Sequence, residues 1–183
     1  MTILKIDSSI TGEASVSRQL TAAIVDQLRA KDPAAQVIAR DRVASPLSHL
    51  TLGGSGDADV LEEFLAADAV VIGAPMYNFT VPSQLKAWID RLVIAGKTFR
   101  YTENGPVGLL ADKRVIIAIA RGSLYGEGAP ASALEHAQTY LGGLFAFLGL
   151  KPEFVIVDGV GISPEFREAG IAGGLAEVER LAA

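Results

Sequence analysis

Three short segments hold the residue types that could do chemistry. Pro75-Met-Tyr-Asn-Phe79 sets two aromatic rings, a thioether and a carboxamide side by side, directly after the apolar run Asp68-Ala-Val-Val-Ile-Gly-Ala74. A flat apolar surface flanked by backbone amides suits a planar heterocycle with polar edges. Asp7-Ser-Ser-Ile-Thr-Gly-Glu-Ala-Ser-Val-Ser-Arg18 is rich in hydroxyls and leads into a helical pattern. Free N–H groups at a helix start, together with Ser hydroxyls, form a cradle for an anion such as phosphate. Capping of the helix by Ser15 or Ser17 is the purely structural alternative. The segment is neither a Walker loop nor a Gly-x-Gly-x-x-Gly fingerprint, which argues against ATP and a conventionally bound dinucleotide. The third segment, Ala120-Arg-Gly-Ser-Leu-Tyr-Gly-Glu-Gly-Ala-Pro130, has glycines that let backbone amides approach a ligand edge, with Arg121 as a source of positive charge. A plain flexible loop is its alternative.

Other chemistries find little support. The chain has no cysteine and only two histidines, His49 and His136, neither near acidic or Ser partners in sequence. No triad and no metal-ligand spacing is present, so no metal and no catalytic side chain are expected, and redox chemistry requires a bound cofactor.

The elements that must position these segments follow from the hydrophobic pattern. Strands are expected at Ile3 to Asp7, Gln36 to Asp41, Ala69 to Ala74, Arg114 to Ala120 and Glu153 to Val157. Helical spacing runs over Ser15 to Ala30, Asp59 to Ala66, Val81 to Ala95, Ala131 to Leu148 and Pro164 to Leu181. This alternation describes an α/β fold, a flavodoxin-like three-layer sandwich with a five-stranded parallel sheet in the order 2-1-3-4-5. In such a sheet, ligands sit at the carboxyl ends of the strands, where all three segments fall. At 183 residues the chain suits one domain, 1–183. Trp88, Phe145 and Phe147 are expected in the core on spacing.

Half the residues are hydrophobic, 20% are charged and the formal net charge is −5, which points to a globular chain without a basic nucleic-acid surface. The amino terminus lacks signal-peptide features and no stretch has the length of a membrane span, so a cytoplasmic protein without membrane contact is expected. Two connections stand out. Gly53-Gly-Ser-Gly56 reads as a flexible linker, natural or inserted to close a deletion. Lys97 to Val107 alternates apolar and polar residues and turns at Asn104-Gly105, which has hairpin character.

Pro75-Met-Tyr-Asn-Phe79, continuing as Gln84-Leu-Lys86 and Ala95-Gly-Lys-Thr-Phe-Arg-Tyr-Thr-Glu-Asn-Gly-Pro106, closely resembles the bacterial FMN-dependent NADH-azoreductases, flavodoxin-like NAD(P)H:quinone oxidoreductases. The resemblance runs from the first strand to the last helix. It implies FMN held at Ser9, Ser15, Val16, Ser17, Met76, Tyr77, Asn78, Phe79, Ala120, Arg121, Gly122 and Ser123. It also implies a substrate pocket lined by Tyr101 and Phe147, the latter reaching over from a second subunit of a homodimer. The chain departs from the family pattern at Ser123 and Tyr125, where a second Gly and a His are usual, and in the shortened segment around Gly53 to Gly56. FMN is also the natural joint ligand of a phosphate cradle, a flat rest and an amide-rich edge. The expected activity is electron transfer from NADH or NADPH to a quinone or azo compound by a ping-pong mechanism, with the chemistry on the cofactor. A flavodoxin-like FMN electron carrier and an engineered loop-deleted variant with impaired activity are the alternatives.

Overall fold

The structure, a computed structural model, describes residues 1–52, 58–110 and 112–181. The strands β1 (Thr2–Asp7), β2 (Gln36–Asp41), β3 (Ala69–Pro75), β6 (Arg114–Ala120) and β7 (Glu153–Val157) form a parallel sheet in the order β2-β1-β3-β6-β7. With the hairpin strands β4 (Phe99–Thr102) and β5 (Gly105–Gly108) set apart in their own antiparallel pair, this is the expected 2-1-3-4-5 arrangement.

Two apolar layers sandwich the sheet. Helices α1 (Val16–Lys31) and α5 (Pro164–Leu181) bury Leu20, Ile24 and Val178 against one face, while α2 (Ala58–Ala66), α3 (Ser83–Ile89) and α4 (Ala137–Phe147) bury Phe64, Trp88 and Phe145 against the other. Every residue of β3 is buried, which is why its sequence is continuously apolar rather than alternating. Trp88 lies in the core as expected, edge-on to Phe64 with ring centroids 5.9 Å apart. Phe145 is fully buried, whereas Phe147 packs only at the margin of that layer.

Several boundaries differ from the sequence reading, each for a local reason. Helix α3 stops at Ile89 rather than Ala95. The Thr98 hydroxyl donates to the Leu92 carbonyl at 2.7 Å and accepts from the Ile94 N–H at 3.0 Å, giving the backbone an alternative to continued helix. The expected helix from Ala131 divides into a short 3₁₀ turn, Ser132–Leu134, and α4. Glu135 causes the division: its carboxylate accepts the N–H groups of Ala137, Gln138 and Thr139, starting a new helix there and leaving His136 at the boundary. Burial pushes this carboxyl up, but the N–H groups of Gln138 and Thr139, the Thr139 hydroxyl and the Arg121 charge together outweigh it and hold it below its ordinary range. Strand β3 includes Pro75, beyond which the Met76 N–H donates to the Ala120 carbonyl at 2.9 Å. The segment Gly53 to Gly56 lies outside the described residues.

Candidate active site at the carboxyl edge of the sheet

The loop after β1 is pinned before it reaches α1. Asp7 accepts from the Thr21 hydroxyl at 2.8 Å, and Ser8 donates to the Gly73 carbonyl at 2.7 Å. A Cβ at Gly73 would come within 3.0 Å of Asp7 Oδ1, so β3 needs a glycine to pass this close. Arg18 donates to the Ser9 carbonyl and to Asp41, each at 2.9 Å, which ties the loop to the end of β2. The Arg18 guanidinium and the N–H groups of Val43 and Ala44 hold the Asp41 carboxyl down to about 2. Ser15 caps α1, accepting from the Arg18 N–H at 3.3 Å, and its hydroxyl shares a 3.1 Å hydrogen bond with that of Ser17. Capping and a phosphate cradle are therefore compatible here. The N–H groups of Val16 and Ser17 open the helix, where first-turn donors have no intrahelical acceptor.

The loop after β3 is joined to the first through Tyr77. Its hydroxyl shares a 3.2 Å hydrogen bond with Ser9 and accepts from the Ile10 N–H at 3.1 Å. Tyr77 and Thr80 exchange backbone hydrogen bonds across Asn78 and Phe79, whose φ angles are 47° and 74°. This is a two-residue hairpin turn with both central residues left-handed, which Asn tolerates and Phe does not favour. Glycine would be the relaxed choice at the second position, so the 42% exposed Phe79 side chain is kept there against the backbone's preference. Phe79→Gly is expected to raise the unfolding free energy by roughly 0.5–1 kcal/mol while weakening the binding of any planar ligand laid on this loop. Urea unfolding and a flavin titration check the two halves. A lower urea midpoint would show that the Phe79 contact with Tyr125, at 6.4 Å between rings, outweighs the strain.

The loop after β6 is fastened to the one after β7. The Arg121 N–H donates to Val157, and the Val160 and Gly161 N–H groups donate back to Arg121 and Gly122. The Arg121 side chain does not offer the cleft a free charge. It is 3% exposed, pairs with Asp158 through Nε and Nη2, and has Nη1 3.8 Å from Glu135. Asp158 and Glu135 compensate its positive charge, while Nη1 itself is buried without a hydrogen bond.

These loops line an open cavity of about 180 Å³. Of the residues expected at the site, Ser9, Ser15, Val16, Met76, Tyr77, Ala120 and Gly122 line it. Ser17 is buried against Ser15, Asn78 and Phe79 lie in the turn beyond Tyr77, and Ser123 is exposed next to Gly122. Thr11, Val160 and Arg167 also line the cavity, with no local sequence signal that places them there. Tyr101 and Phe147 sit elsewhere. They flank Phe99, with centroid distances of 5.3 and 4.8 Å, by the hairpin and the last residue of α4. The start of α4 lies by the site, where the His136 N–H donates to Phe79, and an 11-residue helix carries Phe147 away from it by about 16 Å. Among the described residues no group of side chains could hold a metal ion, and no helix is long and apolar enough to cross a membrane.

A five-stranded parallel sheet with its loops gathered at one edge defines a flavodoxin-like α/β protein. The chain belongs to the flavodoxin-like fold family, which it matches over residues 1–182. It is 51% identical over 201 residues to FMN-dependent NADH:quinone oxidoreductase 2 of Bradyrhizobium diazoefficiens, with 100% of each chain covered. It is 48% identical over 202 residues to the FMN-dependent NADH:quinone oxidoreductase of Xanthomonas campestris pv. campestris, with 99% of each covered. The crystal structure of azoreductase from Bacillus anthracis str. Sterne superposes with a TM-score of 0.89 at 32% identity, covering 100% of this chain and 98% of that one. Both sequence alignments are longer than the 183 residues of this chain, so the relatives carry residues without a counterpart here.

Proposed function

We propose that this chain is a single flavodoxin-like domain that binds FMN noncovalently and transfers electrons from NADH or NADPH to quinones and azo compounds in a ping-pong cycle. The observation that carries this reading is the cavity itself, where a serine cradle, the Met76–Tyr77 wall and the Gly122 backbone converge in a chain about half identical to FMN-dependent NADH:quinone oxidoreductases. The donor set fits the cofactor. Ser9, Ser15 and Ser17, with the opening N–H groups of α1, would hold the phosphate. Met76, Tyr77, Asn78 and Phe79 would support the ring, and Ala120 to Ser123 would meet its polar edge.

FMN supplies the hydride chemistry when bound, and the protein supplies position, shielding and field. Tyr77 fixes the spacing between cradle and ring support through Ser9 and Ile10. Among the described residues lining the cavity, the titratable side chains are Tyr77 and Arg167, so protons for the acceptor come from water or from the acceptor's surroundings.

A cytoplasmic homodimer completes the reading. Tyr101 is 76% exposed, with Val107 and Leu109 also exposed nearby in sequence, and this end of the protein is separated from its own cavity by the length of α4. Tyr101 and Phe147 can therefore line a flavin pocket only if that pocket belongs to a second copy.

Protein saturated with FMN and desalted should retain near-stoichiometric flavin, sediment as a dimer at micromolar concentration, and oxidise NADH with a quinone in parallel-line steady-state kinetics. Colourless protein after reconstitution would overturn the flavin reading. Flavin retention without turnover of any small acceptor would leave an electron carrier instead.

A further inference from the structure

We propose that Arg167, in the first turn of α5, is a phosphate-binding residue of this site and supplies the cation that the serine cradle lacks. This inference rests on the FMN reading above. Arg167 is the one charged side chain among the described residues lining the cavity. It reaches there from the far end of the sequence. Its Nη2 donates to the carbonyl of Ala14, the residue immediately before the Ser15 cap of α1. A guanidinium has five N–H donors in a rigid fork, so this anchor leaves others for an anion.

The other arginines near the cavity are committed. Arg18 places Nη1 2.8 Å and Nη2 2.9 Å from Asp41 carboxylate oxygens, and Nη2 also holds Ser9. Arg121 is paired with Asp158 and borders Glu135. Arg167 makes no ion pair among the described residues. A cradle of hydroxyls and helix N–H groups favours a dianion only through partial charges, and a full positive charge on its open side adds attraction that dipoles alone do not provide.

The packing of α5 explains how Arg167 comes to be there. Gly170 and Gly174 lie three and seven residues beyond Arg167, on the same helical face. A Cβ at either glycine would come within 2.8 or 2.6 Å of the Val157 side chain. Their absence of side chain lets α5 lie directly on β7, bringing its first turn up to the loop that enters α1.

The test uses full-length protein and two ligands, FMN and riboflavin, titrated by flavin fluorescence at low and high salt. Arg167→Ala should weaken FMN roughly 10- to 100-fold, leave riboflavin within about twofold, and reduce the salt dependence of FMN binding. Arg167→Lys, which keeps the charge and loses the fork, should fall between. Equal weakening of both flavins would overturn the proposal, because Arg167 would then only brace Ala14. Unchanged FMN affinity in a folded Arg167→Ala protein would overturn it while leaving the FMN reading intact. Failure of the unsubstituted protein to bind either flavin would instead bring down both.

Discussion

Replacing Ser9 and Ser17 together with alanine is expected to weaken FMN by at least about 100-fold and to leave riboflavin nearly unchanged. Each hydrogen bond to a charged phosphate contributes roughly 1.5–3 kcal/mol, and about 1.4 kcal/mol is a factor of ten. Both residues are at most 1% exposed. Their present partners, Tyr77 and Thr11 for Ser9 and Ser15 for Ser17, hold them in place before a ligand arrives. Preorganised donors lose little entropy on binding. The comparison needs a control for the link to the second loop, because Ser9 also touches Tyr77. Tyr77→Phe removes that hydroxyl and leaves the cradle's own serines. If riboflavin affinity fell in the double serine variant as far as FMN affinity, the serines would be holding loops together rather than holding a phosphate.

Those serines could be read from the sequence because they lie within a few residues of the strand end and helix start that position them. The same is true of Met76 and Tyr77, which line the cavity directly after β3. A parallel strand buried on both faces must be continuously apolar, so Ala69 to Ala74 declares both the strand and the edge where its loop emerges. Arg167 could not be read this way. It is 153 residues from Ala14, and only the placement of α5 beside α1, permitted by two glycines, brings the two together. Arg121 illustrates the converse. Its position after β6 suggests a charge offered to a ligand, yet Asp158 emerges from the neighbouring strand β7 and compensates it. Local pattern also missed the break before α4, since helical spacing continues through Glu135 while its side chain caps the segment that follows. What is close in the chain is legible in its sequence, whereas partners supplied by topology are not.

Gly108 is the position where such a hidden partner should have the largest consequence for stability. Hairpin spacing calls for a glycine at the turn, and Gly105, with φ +103° and open space around it, answers that local need. Nothing local demands Gly108. In three dimensions a Cβ there would lie 2.1 Å from both the Gly149 nitrogen and the Leu148 carbonyl carbon, which are backbone atoms. Gly149 itself has φ +90°, so that stretch of backbone is already specialised and cannot simply turn aside. Gly108→Ala must therefore push the hairpin away from the end of α4. The 3.1 Å bond from the Leu110 N–H to the Leu148 carbonyl is then lost, and Phe99 withdraws from Phe147. Overpacking of about 1–3 kcal/mol and a lost hydrogen bond of about 1 kcal/mol together predict a cost of roughly 2–4 kcal/mol. In a chain of this length that lowers Tm by roughly 4–16 °C. Gly105→Ala, which meets only backbone strain, should cost about 1 kcal/mol and separates the close approach from the turn. Because the hairpin carries Tyr101 toward the proposed second copy, Gly108→Ala should also weaken the dimer and raise KM for the quinone, with the phosphate cradle intact. A Gly108→Ala protein that melts with the unsubstituted one would show that the hairpin does not rest on α4 through this contact.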